Sequence, residues 1–158
     1  WAPLCERIAR CSLLDIMTGD RHALPRAREA LAAVARCPRP HFTYSTCMGV
    51  LDLDLRTAAV IEACAMMRSA FGDRLDNKTA RTLDEVAIER CLKPALEAMR
   101  TKCYAWMHNK ANWRIILPGS FAIGAMAWSD RLADWREYVA FGVDGLLAAY
   151  SKIGRAHV

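Results

Sequence analysis

The stretch Leu14–Leu31, LDIMTGDRHALPRAREAL, decides the fold class. It continues an apolar stripe that begins near Pro3, with Leu4, Ile8, Cys11 and Leu14 at the three- and four-residue steps of one helix face. Thr18-Gly19-Asp20 then stops the helix. Glycine accepts the left-handed conformation just past a helix end, and an aspartate oxygen can cap the helix that follows. The pattern restarts with Leu24, Ala27, Leu31 and Val34 and runs to about Arg36, where Cys37-Pro38-Arg39-Pro40 breaks it. Two helices joined by so short a turn lie antiparallel.

The same grammar recurs along the chain. His41 to Val50 reads as a loop. A third helix spans about Asp52 to Phe71, with Leu53, Val60, Cys64, Met67 and Phe71 on its stripe. Gly72-Asp73 turns the chain, and Asp76 is placed to cap a fourth helix reaching Arg100, with Ile88, Leu92, Leu96 and Met99 buried. Pro94 lies inside that helix and should kink it. A polar and aromatic connection from Thr101 to Ala111 leads to an apolar fifth helix between Trp113 and Trp128, which Pro118-Gly119 interrupts. Ser129-Asp130 caps a sixth, with Trp135, Val139, Val143, Leu146 and Tyr150 on one face. No strand-like alternation of useful length is present. The expectation is all-α, three antiparallel helix pairs of the kind that stack into bundles, solenoids or toroids. No signature repeats at a fixed period, which disfavours a tetratricopeptide-type array.

Composition sets further bounds. Hydrophobic residues make up 54% and charged residues 25%, a globular balance. No apolar run is long enough to cross a bilayer. The net charge is +5, but arginine and lysine are scattered rather than blocked, which does not point to nucleic acid. The seven cysteines form no C-x-x-C pair and fit neither a zinc site nor a disulfide scaffold. They read as reduced, mostly core residues, which leans towards a reducing compartment. The chain starts at Trp1 with no signal-peptide pattern after it. At its other end, Ile153-Gly154-Arg155-Ala156-His157-Val158 matches the translation of a common sequencing adapter. The expected organisation is therefore a partial domain over residues 1–152 followed by a non-native tail over 153–158.

Three segments resemble heparinase II/III-type polysaccharide lyases, a family that includes alginate lyases. Leu14–Leu31 is similar to the helix–TGD–helix pair near the start of their α/α toroid. Arg90–Met99, RCLKPALEAM, resembles a toroid helix whose Lys-Pro pair leads towards the active-site loop. Asn112–Trp128, NWRIILPGSFAIGAMAW, resembles the Asn-Asn-Trp segment and the small-residue helix behind it. The order and spacing of all three agree, and the resemblance covers most of Leu14 to Tyr150. There are departures: the doubled asparagine is here Ala111-Asn112, and Arg114 and Pro118 stand where asparagine is common.

The resemblance implies an incomplete (α/α) toroid, broken at about Lys152, from an enzyme that cleaves uronic-acid-containing polysaccharide by β-elimination. Its partner would be an anionic polysaccharide, to which a mildly positive chain is suited. The chemistry needs no cofactor. It does need hydrogen-bond donors on the uronate carboxylate, because proton loss beside that group builds a dianion. A neutral amide that donates twice suits the task. Asn112 matches that asparagine, although the same residue type also caps helices. His108, in the same loop, could bond the carboxylate or stand in solvent. Trp106 and Trp113 could stack on sugar rings or pack in a core. Arg114 and Lys110 could meet acidic groups or lie on the surface. The resemblance places the catalytic tyrosine and histidine on later helices and in a β-rich domain, and Tyr44, Tyr104, Tyr138 and Tyr150 match neither. The chain alone is accordingly expected to be inactive. The family is most often periplasmic or secreted.

Two rivals make different demands. An α/α-barrel glycoside hydrolase needs two carboxylic acids astride the bond it cleaves. Asp52, Asp54, Glu62, Glu85 and Glu89 are available, but the aromatic loop before the fifth helix has no acid. A protein-binding helical scaffold would carry signature positions repeated between helix pairs, and none is visible. An opened toroid should also expose apolar surface on its last helix and tend to aggregate.

Overall fold

The computed structural model describes residues 2–36, 43–45, 51–53, 55–101 and 113–153, without the side chains of 43–45, 51–56, 113–114 and 149–153. Within these bounds the chain is all-α apart from one short ribbon. Helix α1 (Ala2–Thr18) and helix α2 (Ala23–Ala35) are joined by a tight turn. Gly19 holds φ +66, and its N–H bonds the Asp15 carbonyl at 2.8 Å, as the glycine stop predicts. The Asp20 carboxylate accepts from the His22 N–H at 2.9 Å and so shapes the entry to α2.

Strands β1 (Thr43–Ser45) and β2 (Leu51–Leu53) pair antiparallel with Tyr44 opposite Asp52, inside the stretch that reads as loop and helix start. Helix α3 (Leu55–Phe71) therefore begins later than the apolar spacing suggests. Leu53 lies on the strand, not on the helix stripe. The ribbon is too short for a period-two pattern to be read from its sequence.

A 3₁₀ turn (Gly72–Arg74) leads to helix α4 (Asn77–Asp84), a π-helix (Glu85–Leu92) and helix α5 (Lys93–Thr101), which follow one another without a break. Asp76 caps α4 through the Thr79 N–H at 2.8 Å, as expected. The strain that Pro94 should introduce is met by widened turns in front of it. The Lys93 N–H reaches back to the Ile88 carbonyl, an i→i−5 bond, so the widened turns end directly before Pro94, the second residue of α5.

Helix α6 (Trp113–Ala127) runs straight through Pro118, contrary to the interruption read at Pro118-Gly119. Pro118 is the sixth residue of the helix, past the first turn, so it forgoes the bond that an N–H there would make to the Arg114 carbonyl, and the helix continues beyond it. Helix α7 (Trp135–Ile153) starts later than the Ser129-Asp130 cap implies, and residues 128–134 form a turn. Asp130 is instead taken up by Arg68, whose Nη2 reaches both carboxylate oxygens at 2.8 Å. Ile153, the first residue of the expected tail, still belongs to α7.

The helices make three stacked hairpins. Helices α1, α3 and α6 pack side by side in one layer, and their partners follow in a second. An arginine–carboxylate pair clamps each junction. Asp15, three residues before the end of α1, pairs with Arg74 after α3. Arg68, three residues before the end of α3, pairs with Asp130 after α6, the same position with the signs exchanged. In the second layer Arg28 of α2 meets Asp76 at 3.2 Å, and Arg100 of α5 meets Glu137 of α7 at 2.6 Å. These pairs gather the ends of α1, α3 and α6 at one end of the stack. Cationic arginines close to helix C-termini also complement the negative end of the helix dipole.

Burial follows the sequence stripes on the inner helices. Ile8, Ala27, Leu31, Val34, Val60, Cys64, Met67, Phe71, Leu92 and Met99 are each 0–1% exposed. Leu14 is 40% exposed, so α1 is rotated from the stripe first drawn, and it buries Ser12 and Asp15 instead. Helix α7 departs most. Val143 and Leu146, read on one apolar face, are 48% and 46% exposed, and Leu147 joins them at 60%, so this last helix does expose apolar surface. Its packed face is the one with Tyr138, Gly142 and Gly145. Small residues let α7 approach α6 closely: a Cβ at Gly142 would meet the Ala122 Cβ at 3.1 Å and the Pro118 carbonyl at 3.2 Å.

Candidate functional site

The residues singled out by sequence lie at or before the start of α6. Trp106, His108, Lys110 and Asn112 fall outside the described residues. Trp113 and Arg114 are the first two residues of α6, with their side chains outside the description. What can be built is the backbone on which they depend. The described part of α6 opens at Trp113, and the start of a helix directs its first N–H groups and the positive end of its dipole outward. No acidic residue occupies that first turn. A helix start without an acid is locally favourable to an anion.

Behind that end, the α3–α6 contact is polar at one point. The buried Ser120 hydroxyl lies within hydrogen-bonding distance of the Glu62 carboxylate and of the Ile116 carbonyl, the latter at 2.8 Å. Of the acids that a hydrolase could use, Glu62 is thus occupied by Ser120, and Glu89 pairs with Lys93 at 2.7 Å. The side chains of Asp52 and Asp54 lie outside the described residues.

A cleft of about 570 Å³ opens at the other end of the stack, beside the hairpin turns. Arg68, Arg74, Arg131, Asp73, Asp84 and Phe71 line much of it. Its arginines are already matched within the chain. Arg74 is held by the buried carboxylate of Asp15, Arg68 by Asp130, and Arg131 by Asp84. Asp84 also accepts from the indole N–H of the fully buried Trp128 at 2.8 Å, and the Arg68 guanidinium sits 5.1 Å from the centroid of that ring. This network ties α3, α4 and the turn after α6 together. It is architecture, and it lies at the opposite end of α6 from Trp113. Sequence reading missed it because its members, at 68, 84 and 128–131, come from three separate parts of the chain. The one local signal was a tryptophan followed by an acid and a base just past a helix end.

Cys5, Cys11, Cys64 and Cys91 are buried free thiols, as the core reading expects, while Cys37, Cys47 and Cys103 lie outside the described residues. Burial pushes the Cys5, Cys64 and Cys91 thiols up from their ordinary range, the second and third by the greater margin. They are therefore poor nucleophiles. Tyr138 is 1% exposed, which keeps its side chain away from a surface-bound substrate, and burial likewise pushes its hydroxyl up. The side chains of Tyr44, Tyr104 and Tyr150 lie outside the described residues. Among the described residues no group of His, Cys, Asp and Glu could hold a metal ion, and no helix is long and apolar enough to cross a membrane. No family model matches the chain, and no curated protein matches it.

Proposed function

We propose that this chain supplies helices of an α/α toroid to a polysaccharide lyase acting on uronic-acid-containing polysaccharide. One observation carries the reading. The segment that resembles the lyase Asn-Trp motif covers α6, whose described part opens at Trp113 with no acidic residue in its first turn. The stack of antiparallel hairpins is consistent with it.

In β-elimination the uronate carboxylate must be neutralised before the neighbouring proton can leave. The Asn112 amide would donate to one carboxylate oxygen, and the α6 N-terminus would favour the negative charge as it spreads into the aci-form. His108 and Arg114 would contact acidic groups, and Trp106 and Trp113 would offer ring faces to the sugars. The base and the acid come from elsewhere in the enzyme. The chain alone then binds but does not cleave.

The test is calorimetric titration of the purified chain with uronate oligosaccharides and with neutral ones of equal length, alongside an ultraviolet assay for unsaturated uronate. The expected result is uronate-selective binding, no unsaturated product, and at least tenfold weaker binding in a folded Asn112→Ala variant. Equal affinity for neutral sugars, or unchanged binding in that variant, would overturn the assignment.

A further inference from the structure

We draw no further inference here: the strongest candidate, the outer face of α7 that leaves Val143, Leu146 and Leu147 exposed, carries nothing because nothing in the structure shows what covers it.

Discussion

Two glycine-to-alanine substitutions in α6 should move stability in opposite directions. A Cβ at Gly124 would lie 2.2 Å from the Ile61 Cγ2 and 3.3 Å from the Leu92 Cδ2. Carbon atoms in contact rest about 3.5–4.0 Å apart, so the first of these is a severe overlap. Ile61 is 0% exposed, and a β-branched side chain in a helix has essentially one χ1 rotamer. The clash is relieved only if α6 moves off α3. Overpacking of this kind costs about 1–3 kcal/mol, with the larger figure suited to so deep an overlap. Against it stands the helix preference of alanine over glycine, about 0.8–1 kcal/mol. The net for Gly124→Ala is a loss of roughly 1–2 kcal/mol, a fall in melting temperature of about 2–8 °C for a chain of this size. At Gly119 a Cβ meets nothing within 4 Å. Gly119→Ala should therefore gain about 0.5–1 kcal/mol and raise the melting temperature. Thermal unfolding followed by far-ultraviolet circular dichroism measures both. Adding Ile61→Ala to Gly124→Ala should cost less than the two changes summed, because the first removes what the second strikes. If Gly124→Ala stabilised as much as Gly119→Ala, α6 would not lie against Ile61, and the stacking order would be wrong.

Acid should loosen the chain through its capping and bridging carboxylates. Asp76 is held below its ordinary value of 3.8 by the Thr79 N–H, and Glu137 below 4.5 by hydrogen bonds from Arg100. Each binds its proton less readily folded than unfolded, so its contribution is present above the ordinary value and lost as pH falls through the lower, folded one. The melting temperature should drop below about pH 4.5, and Asp76→Ala with Glu137→Gln should make that drop shallower; an unchanged slope would remove both groups from the explanation. The thiols offer a separate check. Iodoacetamide followed by peptide mapping should leave Cys5, Cys64 and Cys91 unmodified in the native chain and label them once denaturant is added. Rapid native labelling at Cys64 would contradict its place in the core.

Much of the fold was legible because its punctuation is local. Gly19 and Asp76 do what their residue types allow at helix ends, and the inner stripes of α2 and α3 are buried as spaced. The errors share a cause, which is tertiary packing overriding local pattern. Pro118 looked like a break, but α6 continues through it. Asp130 looked like a cap, but Arg68 from another hairpin claims both its oxygens. On α7 the spacing drew Val143 and Leu146 onto one apolar face without saying what that face meets. The close approach to α6 instead requires small residues, so Gly142 and Gly145 face inward and the larger side chains stay out. The candidate site was legible only as a motif. Its backbone frame is given by where α6 starts, while the network around Asp84 depends on long-range contacts that no spacing announces.

The most direct measurement is amide chemical-shift mapping of the chain titrated with a uronate tetrasaccharide. Binding of its carboxylate at Asn112 predicts saturable shifts clustered on the first turn of α6 from Trp113, absent with a neutral tetrasaccharide and lost in Asn112→Ala. Shifts clustered instead around Arg68, Arg74 and Arg131 at the opposite end, or none at all, would contradict it.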